Sequence, residues 1–167
     1  RFIAELRINQ VAGYAAGNGS WFKDVLIPFN PELTAIIGNK GSGKSAIADI
    51  LGLLGESRQY DHFSFLTDKA QNRKFRQKGY AENFIGVLSW ASGTKTQKQL
   101  DQDVDVLKPE VVKYLPQNYF ESLTNEIEVK AFRKEIEEVV FSHVEESDRV
   151  GKSTFSELED LKTAQSK

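Results

Sequence analysis

A stretch of eight residues constrains this chain more than any other. Residues 38–45 read Gly-Asn-Lys-Gly-Ser-Gly-Lys-Ser, which matches the phosphate-binding pattern G-x-x-x-x-G-K-S, called Walker A. An apolar, β-branched run at residues 33–37 precedes the loop and predicts a buried strand. The apolar residues 46–54 that follow predict a helix that closes at Gly55. Strand, glycine loop and helix in this order form the structural context in which the pattern binds phosphate.

The residue types in the loop explain why it should bind a nucleotide. Glycine lacks a Cβ, so the backbone can reach positive φ and bring its N–H groups close to an anion. Lys44 supplies a positive charge for the β- and γ-phosphates, and the Ser45 hydroxyl is a hard oxygen ligand for Mg²⁺. The start of the helix adds N–H donors and the positive end of the helix dipole. The residues predicted to bind the nucleotide are Gly38, Asn39, Lys40, Gly41, Ser42, Gly43, Lys44, Ser45 and Ala46.

Composition narrows the class of protein. The chain has 167 residues, of which 40% are hydrophobic and 28% charged, as is ordinary for a globular protein of one domain. It has no cysteine, and its two histidines, His62 and His143, are far apart, so a zinc site is not expected. No apolar run reaches membrane-spanning length, and no signal peptide is visible. The net charge of −2 gives no general reason to expect nucleic acid binding.

Two strands are predicted before the loop. The apolar pattern places them at residues 2–11 and 21–29. Residues 13–20 between them contain three glycines and form either a second phosphate loop or a hairpin connection. The hairpin connection is favoured, because no Lys-Ser or Lys-Thr pair follows and no helical pattern starts there.

The most basic segment of the chain follows the loop helix. Residues 65–78 predict a short helix, with Thr67 or Asp68 as its N-cap and Gly79 just after its end. Its cations could contact the phosphate backbone of DNA or RNA. A solvated helix face with Phe75 packed inward is the favoured interpretation, because most runs of charge only face solvent. The basic residues are Lys69, Arg73, Lys74, Arg76 and Lys78.

The remaining sequence predicts more strands and then two helices. Strands are expected at residues 82–91, 95–99, 104–107 and 111–115. A helix at residues 126–144 and another at 154–166 follow, the second with the sparse apolar spacing of a short coiled-coil start. The apolar positions expected on one face of the first helix are Phe132, Ile136, Val139, Val140 and Val144.

These elements predict an α/β fold with α+β character. Residues 1–125 would form a nucleotide-binding lobe, and residues 126–167 a helical extension that begins a helical lobe or a coiled coil. The sequence contains no methionine at all, which predicts that it is a piece of a longer polypeptide.

The order of elements resembles the N-terminal nucleotide-binding lobe of ABC-type ATPases. The resemblance is greatest to the coiled-coil subgroup: SMC, RecN and RecF relatives, and SMC-like ATPases of bacterial repair and defence systems. The run Leu-Thr-Ala-Ile-Ile-Gly at residues 33–38, followed by Gly-Ser-Gly-Lys-Ser at 41–45, is very similar to the loop of that subgroup. The order of elements matches over about residues 1–130, but only the loop and its flanks match closely.

The resemblance implies an activity and partners. It implies a cytoplasmic P-loop lobe that binds ATP and Mg²⁺ and forms a homodimer or assembly through its nucleotide face, with no membrane association. It also implies possible action on DNA, in repair, chromosome maintenance or phage defence. Gln117 matches the family's Q-loop glutamine, which contacts Mg²⁺ or the attacking water, although a surface glutamine in a Pro-Gln turn is the alternative. The implied catalytic residues are therefore Lys44 and Gln117, and the implied metal ligands are Ser45 and Gln117.

The sequence departs from the family in three ways. Lys40 stands where the family usually has Asn, and its charge could strengthen triphosphate binding or face a partner subunit. No apolar strand followed by Asp-Glu (the Walker B motif) is found, and no signature sequence; residues 88–93 look similar but precede Gln117 inside a predicted strand. We therefore expect these 167 residues to bind nucleotide weakly and to hydrolyse it hardly or not at all.

Other functions of a phosphate-binding loop remain open. A GTPase should show Asn-Lys-x-Asp after a later strand, but the Asn-Lys pair of this chain, residues 39–40, lies inside the loop. A kinase should show an arginine-rich lid, for which residues 69–78 are a poor candidate. A binding module that is switched by nucleotide without hydrolysis is equally compatible with the sequence. Four residues, Arg7, Tyr14, Trp21 and Phe22, are candidates for stacking on the base.

Overall fold

The structure, a computed structural model, describes residues 2–14, 21–69, 71, 75–77, 79–116 and 129–165. The chain divides into two compact units, Arg1–Pro116 and Gln117–Lys167. Within the described ranges the fold is a mixed α/β arrangement of a four-stranded antiparallel sheet and three α-helices. None of these helices combines the length and the apolar character needed to cross a membrane.

The first unit is built on the antiparallel sheet. Its strands lie in the order β2-β1-β3-β4, so β1 and β3 are central and pair along most of their length. The strands predicted at residues 2–11, 82–91 and 95–99 are confirmed, and the strand predicted at 21–29 is shorter than expected. The observed strands are β1 Ile3–Gln10, β2 Val25–Pro28, β3 Phe84–Trp90 and β4 Lys95–Gln99.

One face of the central strands forms the core against a helix. Leu6 and Ile8 alternate with polar residues in β1 and are fully buried, as period-2 patterning requires. In β3, Gly86 faces the helix, since a Cβ at this position would lie 3.0 Å from the Leu54 side chain. Helix and sheet are therefore in direct contact at a point where a larger residue requires its neighbours to shift.

That helix is α1, Lys44–Leu54, which confirms the helix predicted after the loop. Its buried face follows helical spacing, with Ala46, Ile50 and Leu53 at 4% exposure or less. The helix ends as predicted at Gly55, whose N–H donates to Leu51 O at 2.9 Å. A Cβ on Gly55 would clash with Val112, so this glycine also allows a later segment to pass close to the helix end.

The predicted strand at residues 33–37 is wrong. This segment has no regular secondary structure and pairs with no described strand, and Leu33 and Ile37 are 80% and 89% exposed. A buried strand needs a neighbour on at least one edge, and none of the described strands lies beside this segment. The predicted strands at residues 104–107 and 111–115 are also wrong; in the latter, Val111 and Val112 instead donate their N–H groups to the single carbonyl of Gly55.

The helix predicted at residues 65–78 is absent from the described part of that segment, residues 65–69, 71 and 75–77. The N–H groups of Phe65 and Leu66 donate to the Asp49 carboxylate at 2.6 and 3.1 Å. The rings of Phe65 and Phe75 stack at 4.6 Å. These two interactions hold the segment on an irregular path instead of a helix. Phe75 is nevertheless buried, as predicted. Of the loop predicted at residues 13–20, residues 15–20 lie outside the described residues.

The second unit contains two packed helices. They are α2, Val129–Ser142, and α3, Phe155–Gln165, which confirm the two predicted helices over the described residues. Phe141 and Leu158 are buried. The predicted apolar face of α2 is only partly covered, because Ile136 and Val140 are 44% and 45% exposed. The side chain of Phe132 lies outside the described set.

Candidate nucleotide-binding site

The glycine loop follows a polar turn. Asn30 Oδ1 accepts the N–H of Glu32 at 2.9 Å, and Thr34 Oγ1 accepts the N–H of Asn30 at 2.8 Å. Asn and Pro at positions 30 and 31 favour such a turn. The chain then runs exposed and without regular secondary structure to Gly38. The loop is therefore approached along a segment that is itself open to solvent.

The path of the loop depends on its glycines. Gly41 and Gly43 have φ angles of +86° and +89°, in the left-handed region that residues with a Cβ rarely adopt. Ser42 N–H donates to Asn39 O at 3.2 Å and closes a β-turn. Gly41 is the third residue of this turn, where a positive φ is the requirement of type II geometry. At Gly38 a Cβ would press into the Ser42 side chain, so this position also excludes a larger residue.

The helix that follows presents its first turn without a cap. Gly43, the N-cap residue of α1, has no side chain that could accept a hydrogen bond from the first N–H groups of the helix. The first turn of α1 contains no acidic residue. The first N–H groups of a helix have no partner within the helix, and they carry the positive end of its dipole. Residues 38–43 and Ser45 are exposed, so an anion can reach this end from solvent. The arrangement is the one that binds phosphate at helix N-termini.

Lys44 lies against the loop. Its Nζ donates to Gly38 O at 2.7 Å and to Asn39 O at 2.9 Å. An ammonium group has three N–H donors, so these bonds leave one for an oxygen of a bound anion. Among the described residues no carboxylate pairs with Lys44. The positive charge predicted to face the phosphates is thus held in place by the loop and left uncompensated.

The predicted metal ligand Ser45 is exposed on the first turn of α1. The described residues contain no group of three or more acidic or histidine side chains that could hold a metal ion. The Ser45 hydroxyl would be one ligand of a bound Mg²⁺ at this site, beside phosphate oxygens and water. That donor set suits Mg²⁺, which keeps several waters and is commonly held with substrate phosphates.

Gln117, the second predicted catalytic and metal-binding residue, lies outside the described residues. The segment that leads towards it is fixed on α1. Val111 N–H donates to Gly55 O at 2.8 Å, and Tyr114 Oη donates to Asp49 Oδ1 at 2.7 Å. Pro116 is the last described residue before Gln117.

Asp49 is a central residue of this region that the sequence interpretation missed. It is fully buried on α1, and its Oδ2 accepts three backbone N–H groups, from Ser64, Phe65 and Leu66, at 2.6–3.1 Å. Burial raises the pKa of Asp49, although the hydrogen bonds from Tyr114 and the backbone act against it. Burial and the neighbouring Asp49 also raise the pKa of Tyr114. A sequence signal existed, because position 49 falls on the apolar face of α1 between Ala46 and Ile50.

The basic segment is partly used inside the protein. Arg76 has a side chain only 5% exposed and forms ion pairs with Asp68 at 2.5 Å and Asp103 at 2.8 Å. It also donates to the Gln102 carbonyl. Lys69 is exposed, while Arg73, Lys74 and Lys78 lie outside the described residues. Arg76 is therefore committed to internal contacts and is not the solvent-facing cation that the favoured interpretation expected, although Phe75 is packed inward as it expected.

The aromatic candidates for base stacking pack in the core cluster instead. The ring of Trp21 lies 5.1 Å from that of Phe75, and the rings of Tyr14 and Phe22 lie 5.0 and 5.8 Å from that of Phe84. These edge-to-face contacts are typical of aromatic packing. The fourth candidate, Arg7, approaches Glu5 at 3.7 Å. The described contacts bring none of the four to the glycine loop.

Comparisons with known proteins give a distant structural likeness. No protein-family model matches the sequence, and no curated protein matches it. A solved structure from work on ATP-driven dimerization and DNA-stimulated activation of SMC ATPases is similar to this chain, with a TM-score of 0.40 and 17% sequence identity. The match covers 78% of this chain and 95% of that one. The chain thus has a distant structural resemblance to an SMC ATPase.

Proposed function

We propose that this chain is the ATP- and Mg²⁺-binding part of an SMC-like, ABC-type ATPase. The observation that carries the proposal is the geometry of residues 38–45: two left-handed glycines, an uncapped helix start, and Lys44 held on two loop carbonyls. Together they form an exposed nest of N–H donors with a fixed positive charge. A nucleotide triphosphate with its metal ion is the ligand that suits this chemistry.

The proposed roles follow from what phosphoryl transfer needs. The reaction requires an aligned water, charge neutralisation by metal and lysine, and a residue that positions or deprotonates the water. Lys44 and Ser45 serve the charge neutralisation, and Gln117 is proposed to contact the metal or the water. The general base is assigned to a Walker B motif, and the remaining donors to a signature motif of a partner subunit, both outside this sequence.

The larger role is proposed from the sequence resemblance of the loop. ATP would hold two nucleotide faces together, because each site is completed by the signature of the other subunit. The dimer would act on DNA, in repair, chromosome maintenance or phage defence. In this scheme the 167 residues supply nucleotide binding, and hydrolysis depends on the assembled protein.

Calorimetric titration of the chain with ATP and Mg²⁺ tests the binding proposal. We expect weak binding that Lys44→Ala reduces about 10- to 100-fold, because the variant loses a charge-assisted contact of roughly 1.5–3 kcal/mol. Lys95→Ala is the matched control, since Lys95 is an exposed lysine on β4. Thermal unfolding should be the same for all three proteins.

Two outcomes would count against the proposal. Equal ATP binding by the wild type and Lys44→Ala would show that the loop is not the nucleotide-binding site. Phosphate release by the isolated chain that Lys44→Ala abolishes would contradict the assignment of essential hydrolytic residues to the rest of the protein.

A further inference from the structure

A second lysine stands at the tip of the glycine loop. Lys40 is the second residue of the β-turn closed by the hydrogen bond from Ser42 N–H to Asn39 O, and its side chain is exposed. The following residue, Gly41, takes the positive φ that this turn requires. Lys40 is therefore held at a defined backbone position of the loop.

The side chain of Lys40 makes no hydrogen bond or ion pair with any described residue. It differs in this from Lys44, whose ammonium is tied to the carbonyls of Gly38 and Asn39. The loop thus carries one anchored cation and one that is free to move towards a ligand.

None of the ion pairs among the described residues neutralises these two charges. Residues 38–45 contain no acidic residue, and neither does the first turn of α1. The nearest acid after the loop in sequence, Asp49, is buried, and its oxygens are engaged by three backbone N–H groups and by Tyr114. Two lysines and the positive end of a helix dipole therefore face solvent together, an arrangement that favours a ligand with several negative charges.

We propose that Lys40 is a specificity-determining residue that contacts the terminal phosphate and makes the site prefer a triphosphate to a diphosphate. The inference rests on the proposed nucleotide-binding function of the loop. Lys44 is fixed on the loop, and it would therefore contact the phosphate chain of a diphosphate as well as that of a triphosphate. Lys40 adds a Coulombic interaction with the charge that distinguishes the two ligands, and so its removal costs triphosphate affinity most.

The test compares ATP, ADP and inorganic tripolyphosphate, each with Mg²⁺, by calorimetric titration of the same proteins. Lys40→Gln removes the charge at similar length, Lys40→Arg keeps it, and Lys95→Gln removes an exposed charge from β4 as the control. We expect Lys40→Gln to weaken ATP and tripolyphosphate about tenfold and ADP less than about threefold. Lys40→Arg should restore most of the difference, and added salt should reduce it.

Each outcome bears on one of the two proposals. If the wild type binds ATP and Lys44→Ala weakens that binding as expected, the site is present. An equal loss of ATP and ADP in Lys40→Gln, or no loss of either, then overturns the role of Lys40 alone. If the wild type binds neither ATP nor tripolyphosphate, the proposed nucleotide site itself is wrong.

Discussion

Two neighbouring parts of the first unit use apolar residues in opposite ways. Leu6 in β1, Leu88 in β3 and Leu54 in α1 are completely buried in the core that the sheet and α1 share. In the segment that leads into the glycine loop, Leu33 and Ile37 are 80% and 89% exposed. The first part forms the stable platform, and the second presents the loop without contributing to the core. Folding stability and ligand binding should therefore respond to different mutations.

The largest effect on stability is expected in the platform. Leu54→Ala should lower the free energy of unfolding by about 2–5 kcal/mol, because a fully buried leucine leaves a cavity. Urea denaturation followed by circular dichroism measures the change. A loss below about 1 kcal/mol would show that the contact between α1 and the sheet matters less than its burial suggests.

A buried ion pair gives the next largest effect. Lys98 Nζ donates to Glu56 Oε2 at 2.6 Å, and both side chains are less than 10% exposed. Lys98→Met should cost about 3 kcal/mol in urea denaturation, because Glu56 is then left buried without its closest cation. The double variant Lys98→Met with Glu56→Gln should lose less than the single one. If the single and the double variant lose the same free energy of unfolding, an unpaired charge on Glu56 is not the cause of the loss.

The hydrogen bond between Tyr114 and Asp49 should contribute less, with a characteristic pH dependence. Tyr114→Phe should cost about 1–3 kcal/mol near neutral pH, because a buried carboxylate oxygen loses its donor. The folded-state pKa of Tyr114 is raised above its ordinary value of 10.0, so above that pH only the unfolded tyrosine ionises and the wild type loses stability.

This pH dependence identifies the tyrosine as the cause. The advantage of the wild type over Tyr114→Phe should shrink by about 1.4 kcal/mol per pH unit above pH 10. Denaturation curves at several alkaline pH values measure it. A difference between the two proteins that is constant with pH would mean that only packing is lost.

The smallest effect is expected in the segment before the loop. Ile37→Thr should change the free energy of unfolding by no more than about 0.5 kcal/mol, because the side chain is almost fully exposed. The same urea denaturation as for Leu54→Ala gives a direct comparison. A loss of 2 kcal/mol or more would show that this segment is buried in the protein in solution and would end the contrast between the two regions.

Elements whose stabilising contacts are local could be predicted from the sequence. β3 and β4 are joined by Ala-Ser-Gly-Thr, and the turn closes through the hydrogen bond from Trp90 N–H to Thr94 O, with Gly93 at a φ of +84°. α1 starts after the last loop glycine and ends at Gly55, where its capping residue was expected. The left-handed glycines of the loop likewise follow from the Walker A pattern.

Elements that depend on distant partners could not be predicted. An apolar run such as residues 33–37 predicts a strand only if another strand lies beside it, and the sequence does not show whether one does. The described part of the basic segment after residue 65 is not helical, because Asp49, sixteen residues earlier, accepts the N–H of Phe65. Trp21 looked available for a ligand but packs on Phe75 in the core.

The sequence by itself determined the glycine loop, the helix behind it and the residue types that suit phosphate and Mg²⁺, because backbone freedom and charge are properties of single residues. Only the tertiary structure decided that β1 lies between β2 and β3, that Lys44 rests on two loop carbonyls, and that Asp49 joins α1 to Tyr114. The strand order and the contact between Asp49 and Tyr114 depend on which distant groups meet, and the Lys44 contacts, five and six residues apart in sequence, depend on the path that the loop takes.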